Sequence, residues 1–181
     1  MEIVKSRDYY IKLLNRYDLP QGIIIHSEKV ADVAEFIAHK LNSKDYQVDI
    51  EKVIAGALLH DIGKSKIYKW QNATNHGEAS AEIVVKEGMA KLAPIVGRHI
   101  LDAIISKDQY PLTLEDKIVF YADKIVTHKL VSIKERFDDL LKRRRDIKGL
   151  LDAAYKPTKA LESELMTLAD LKWEDLKHRF A

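Results

Sequence analysis

The sequence predicts an all-α helical bundle, on three observations. Only 7 Gly and 4 Pro punctuate 181 residues, so the segments between breaks are long. Apolar residues within those segments recur at spacings of three and four, the period of a helix face. No stretch shows the sustained alternation of a half-buried strand. With 46% hydrophobic and 32% charged residues the chain can build one sizeable core, and it is too short for two large independent domains.

The elements follow in order. A first helix is expected over about residues 7–17, ended by Pro20 and Gly22. A second, over about 23–41, carries His26, Val30, Val33, Ile37 and Leu41 on one stripe, which turns His26 toward the interior. Asp49 is suited to cap a third helix, whose apolar residues Val53, Ile54, Ala57 and Leu58 lead to His60, with Gly63 as its stop. Asn75 and Glu78 have the spacing of a capping box, placing His76 in the first turn of the next helix. A single helix from about Leu92 to Ser106 puts Ile95, His99 and Ala103 on one stripe, so His99 also faces inward. Thr113 and Asp116 then cap a helix through Ile118, Tyr121 and Ile125, on which Asp123 is either solvated or paired. From about Lys129, two or three charged amphipathic helices are expected, broken near Gly149 and Pro157. Residues 1–130 thus form a main unit with an N-terminal helix, and residues 131–181 a helical extension packed on the same domain.

Composition removes several function classes. A formal charge of +2, from 30 basic and 28 acidic residues, gives no general case for binding nucleic acid. The basic run Lys142-Arg143-Arg144-Arg145 reads as a solvated helix face. The absence of cysteine excludes disulfides, thiolate ligands and thiol nucleophiles, and agrees with a reducing cytosol. No apolar run approaches the roughly 20 residues of a membrane span, so a cytoplasmic protein with no membrane partner is expected.

The chemistry is concentrated in His60-Asp61-Ile62-Gly63-Lys64, with His26 before it and His76, His99 and Asp123 after it. Imidazoles and carboxylates converging from separate helices suit a divalent metal, and an apolar core otherwise avoids them. Adjacent helical residues point about 100° apart. His60 and Asp61 can therefore serve one metal only if the helix ends there, as Gly63 permits. Each oxygen of a carboxylate can ligate one cation, whereas a neutral imidazole offers one lone pair, which makes Asp61 the natural bridge between two ions.

A histidine, a His-Asp dyad and a distant aspartate, here His26, His60-Asp61 and Asp123, resemble the pattern of the HD superfamily of metal-dependent phosphohydrolases, and Ile62-Gly63-Lys64 completes the HDIG-type extension. The resemblance covers roughly residues 22–130 and implies an HD-domain helical bundle around the metal. Two-metal members carry additional histidines between the dyad and the last aspartate, and His76 and His99 occupy such positions. The likeness extends to the branch that includes bacterial enzymes splitting diadenosine tetraphosphate symmetrically. It implies one or two divalent ions, drawn from Mn, Fe, Co, Ni, Zn or Mg. His26, His60, Asp61 and Asp123 would hold the first, and Asp61, His76 and His99 the second. Cyclic-dinucleotide phosphodiesterases of this kind have consecutive histidines where this chain has His99-Ile100, which weighs against such substrates.

The expected reaction is hydrolysis of a phosphate ester or anhydride of a small nucleotide-type substrate. Divalent ions polarise phosphoryl oxygens and lower the pKa of bound water from about 15.7 toward neutrality. Asp61 is assigned to proton handling, Lys64 to catalysis and to the substrate phosphate, and Arg98 to a forked phosphate contact. Tyr9, Tyr10, Tyr68, Trp70 and Tyr110 are candidates to stack on a base, although core or rim packing is their ordinary use. Two alternatives stay open: a nucleotide- or metal-binding regulatory module without turnover, and a nucleoside monophosphate phosphatase or a phosphodiesterase, RNA included. The intact ligand set argues against the first. Oligomeric state is left open.

Overall fold

Side-chain caps mark where the chain enters its helices in the computed structural model, which describes residues 5–69, 71 and 73–180. Ser6 starts α1 (Arg7–Arg16) by accepting from the Tyr9 N–H, and α2 (Gln21–Asn42) follows Pro20. Asp49 accepts from the Lys52 N–H to start α3 (Ile50–Leu59), which gives way to a 3-10 turn, Ile62–Lys64. Asn75 caps α4 (His76–Lys86). A short α5 (Ala93–Gly97) and a 3-10 turn, Leu101–Ile105, precede α6 (Leu114–Ile125), where Thr113 and Asp116 form a reciprocal capping box. A second box, Ser132 with Glu135, starts α7 (Ile133–Arg143), and α8 (Lys148–Ala169) and α9 (Trp173–Phe180) follow. Among the described residues there is no strand, and the all-α expectation holds.

Three local expectations are corrected. The capping box at Asn75 is only half made: Asn75 accepts from the Glu78 N–H, but the Glu78 carboxylate takes the Thr74 N–H (2.6 Å) and hydroxyl (2.9 Å) instead. The single helix over 92–106 is broken after Gly97, with Ile100 extended. The break frees the His99 carbonyl, which accepts from Lys124 Nζ at 2.6 Å, a bond that a continuous helix would have given to its own ladder. The break expected near Gly149 falls at 144–147, just before α8, whereas Pro157 lies inside α8 and does not interrupt it. The buried stripe of Leu151, Ala154, Thr158, Leu161 and Leu165 holds α8 through its proline by packing.

Helices α2, α3 and α6 pack on one another at the centre, burying Val30, Ala34 and Ile37, then Val53, Ala57 and Leu58, then Ile118, Val119 and Phe120. Leu13 and Leu14 of α1 and Leu161 and Leu165 of α8 join the same buried cluster. Among the described residues no helix is long and apolar enough to cross a membrane. One end of this central trio carries His26, His60, Asp61 and Asp123 together.

Candidate metal centre

The His-Asp dyad sits where α3 stops. His60 is its C-cap and still helical, whereas Asp61, at φ −102° and ψ 10°, has left the helix, so two adjacent side chains converge. The turn is fastened to α4 by one hydroxyl. Ser80 Oγ accepts from the Gly63 N–H at 2.9 Å and shares its proton between the carbonyls of His60 (2.6 Å) and His76 (2.8 Å). That staple sets His76, in the first turn of α4, beside the dyad.

Backbone carbonyls then orient the imidazoles. His60 Nδ1–H donates to Ala57 O at 2.7 Å and His99 Nδ1–H to Val96 O at 2.6 Å, so both Nε2 atoms face the centre. His60 Nε2 lies 3.5 Å from Asp61 Oδ2 and 3.5 Å from Asp123 Oδ1, and His26 Nε2 lies 3.1 Å from the same Asp123 oxygen. On the other side, Asp61 Oδ1 is 3.4 Å from His99 Nε2 and 3.6 Å from His76 Nε2, and those two nitrogens are 3.1 Å apart. One oxygen of Asp61 therefore faces His60, and the other faces His76 and His99.

Lone pairs are gathered here without the hydrogens to satisfy them. His60 Nε2 and Asp61 Oδ1 are buried with no hydrogen-bond partner. Such a set is unfavourable unless a cation lies among its members, and nitrogen and oxygen donors suit a divalent one. Two overlapping trios, His26, His60 and Asp123, and His60, Asp61 and His99, each bring their ligand atoms within 4.8 Å of one another. The residues fit a divalent ion in either half.

Three cationic residues surround the ligands with different results. Lys64 Nζ donates to Asp61 Oδ2 at 2.7 Å from an exposed position at the cleft. Lys124, which the sequence reading missed, is buried and donates to Asp123 Oδ2 and to the His99 carbonyl, both at 2.6 Å, so one ammonium ties a ligand of each half. Its signal was a lone lysine within the apolar run from Ile118 to Val126. Arg98, expected at a substrate phosphate, is instead committed to the buried Asp116 carboxylate at 2.7 Å and does not line the cleft. Next to an inward-facing His99 it must point elsewhere, and the capping carboxylate of α6 supplies its countercharge.

Residues 23–127 match the HD domain. The chain belongs to the HD-domain family. HD domains bind divalent metals, and the family is one of metal-dependent hydrolases. Over 134 residues, 68% of this chain, the sequence is 34% identical to an uncharacterized protein of Methanocaldococcus jannaschii, covering 75% of that protein. Over 97% of this chain it is 31% identical to a tRNA (cytidine(56)-2'-O)-methyltransferase of Picrophilus torridus, covering 51% of it. Over 78% of this chain it is 30% identical to a ribonuclease Y of Treponema denticola, covering 25% of it. The chain thus spans about half the length of that methyltransferase and about a quarter of that ribonuclease. No solved structure matches.

Charge within this HD domain follows from its packing. Burial pushes the His60 imidazolium down, but Asp61 and Asp123 outweigh it and raise its pKa to about 10. Burial and the neighbouring His99 push His76 down to about 3. Burial opposes ionisation of Asp61 and Asp123, yet His60 beside the first and Lys124 beside the second hold both well below the usual carboxylate range. Without an ion, a proton on His60 balances the carboxylates at neutral pH. A raised pKa means that a metal must displace this proton, so affinity is expected to rise with pH up to about 10. Loading at pH 8 should release about one proton, visible as calorimetric heats that depend on the buffer's ionisation enthalpy; heats independent of buffer would contradict this. Lys124→Met is expected to weaken metal binding by about 10–100-fold, since partners that orient ligands contribute on that scale. Competition with a chelating dye measures it, and unchanged affinity would remove Lys124 from the centre.

His26, Asp61, His76, His99 and Asp123 line a cleft of about 510 Å³, with Lys64 and Lys124 beside them. Its outer wall comes from the C-terminal helices, through Arg136, Leu140, Arg144, Ile147 and Leu150. The proposed stacking residues are elsewhere. Tyr68 bonds Glu82 at 3.3 Å and lines a neighbouring cavity, Tyr9 and Tyr10 pack edge to face on α1, and Tyr110 packs on the core. Trp70 lies outside the described residues.

Proposed function

We propose that this chain hydrolyses a phosphate ester or anhydride of a small nucleotide-type substrate. The observation that carries the reading is Asp61, one of whose oxygens faces His60 while the other faces His76 and His99, in a cleft of about 510 Å³. That volume is in the range of small-molecule sites. His26, His60, Asp61 and Asp123 would hold one divalent ion, and Asp61, His76 and His99 a second. Ions held there supply Lewis acidity and an activated water.

The chain's own groups do the rest. Lys64, at the cleft and on a flexible stem, offers its ammonium to a phosphoryl oxygen once Asp61 is engaged with its ligand sphere. Asp61, within reach of both halves, would orient the attacking water between them. Lys124 keeps Asp123 ionised and oriented. Ile23, Ile100 and Leu101 give an apolar patch against which a sugar or base can lie.

The names of two relatives, a ribonuclease Y and a tRNA methyltransferase, favour a second reading in which the nucleotide is part of an RNA. One panel tests both. Metal-stripped protein, resupplied separately with Mn, Fe, Co, Ni, Zn and Mg, is assayed on diadenosine tetraphosphate, nucleoside monophosphates, cyclic dinucleotides and short RNA. Metal-dependent turnover of a small nucleotide supports the first reading, and selective turnover of RNA the second. Metal binding with no turnover of any member would favour a regulatory module.

A further inference from the structure

Arg136 lies on α7, beyond the segment that matches the HD domain, and lines the same cleft as His26, Asp61, His76, His99 and Asp123. Its Nε is buried without a hydrogen-bond partner, and among the described residues its guanidinium makes no ion pair. The acidic side chains of its own segment are bonded to other groups, and Asp139 also lies close enough to feel the charge of Arg136. Asp138 pairs with Lys134, Asp139 with Arg143, and Asp146 with Arg144, while Glu135 caps α7 through Ser132. Across the cleft the charge that Arg136 meets at Lys124 is positive, and Lys124 is already spent on Asp123 and His99.

A partly buried guanidinium with no anion is costly, and its planar fork matches two oxygens of a phosphate. Divalent ions on the ligands below would make this end of the cleft more positive still. Leu140, Ile147 and Leu150 stand on the same wall and give the apolar part of an organic phosphate a surface beside the fork. We infer that Arg136 is a phosphate-binding residue of the metal cleft, supplied by the C-terminal helices, and that the substrate's phosphate is held between the metal ligands and this guanidinium. The inference rests on the phosphohydrolase reading and deepens it: residues 23–127 contain the metal ligands but only part of the substrate site.

The test uses the full chain and inorganic phosphate, titrated by calorimetry with and without Mn(II). Arg136→Met should weaken phosphate binding at least tenfold while Mn(II) affinity and melting temperature stay near wild type. Arg136→Lys, which keeps the charge and the stem but loses the fork, should recover part of the loss. Phosphate binding equal to wild type in Arg136→Met would overturn the inference, as would a wild-type chain that binds no phosphate. If Arg136→Met does not fold, Arg136→Lys decides: weakened binding supports the fork, and unchanged binding refutes it. The two readings fail separately. Phosphate binding that depends on Arg136, in a protein that turns over no phosphorylated compound, would keep the anion site and remove the hydrolase. Turnover with an unchanged KM in Arg136→Met would keep the hydrolase and remove the site.

Discussion

Replacing Asp61 by alanine is expected to abolish metal-dependent turnover and leave the helices in place. Its two oxygens are 3.5 Å from His60 Nε2 on one side and 3.4 Å from His99 Nε2 on the other, so a single truncation takes a ligand from both halves of the centre. Lewis-acid stabilisation of a phosphoryl transition state is worth several kcal/mol and each 1.36 kcal/mol is tenfold in rate, so a loss of about 10³-fold or more follows. Bound metal per chain, read by elemental analysis, should fall in parallel. Helicity should persist because the central packing of α2, α3 and α6 does not pass through this carboxylate. Asp61→Asn separates charge from shape: the amide keeps the volume, and it should be nearly as inactive. Full activity in Asp61→Ala would refute the assignment of the site.

The second large effect is expected at Gly63, where the structure has no room for a side chain. A Cβ there would overlap the His76 carbonyl oxygen and lie 2.7 Å from Ser80 N and 2.9 Å from Ala79 Cβ. Two of these three neighbours are backbone at the start of α4, so no rotamer change relieves the clash. Gly63→Ala must push the dyad turn away from α4, breaking the Ser80 staple and moving His76 from the dyad. A destabilisation of about 3 kcal/mol or more is expected, at the upper end for overpacking. Chemical denaturation measures it. Gly22→Ala, which meets nothing within 4 Å, is the control that should change stability little. Equal stability of the two variants would show that the dyad turn is not held against α4 as described.

What the sequence revealed was what is local. Asp49, Asn75 and Thr113 cap helices because each side chain reaches an N–H three residues on, a relation written in consecutive residues. The inward turn of His26 was legible for the same reason, as a matter of period, whereas His99 faces inward although the helix expected to carry it ends at Gly97. The apolar run from Val53 and the stop expected at Gly63 placed His60-Asp61 at a helix end, and the helix does stop there.

The misses are tertiary. Nothing near Gly97 announces that the helix over 92–106 must open so that the His99 carbonyl can meet Lys124, 25 residues away. Arg98 was given to a phosphate because its neighbour is a ligand, but adjacency in sequence sends the two side chains in different directions, and Asp116 claims it. Pro157 reads locally as a breaker, yet α8 is held by what it packs against. Arg136 carries no signal in its own neighbourhood, where basic and acidic residues alternate as on any solvated helix. Only the folded chain shows that its neighbours' charges are spent on each other.

Anomalous diffraction from crystals of the chain loaded with Mn(II) would show whether two ions share Asp61. The result expected is a pair of peaks, one contacted by His26, His60, Asp61 and Asp123 and the other by Asp61, His76 and His99. A single peak that leaves His76 and His99 without an ion would reduce the centre to one metal. Peaks only at sites that do not touch Asp61, or none in a protein shown to bind Mn(II) in solution, would remove Asp61 from the metal centre.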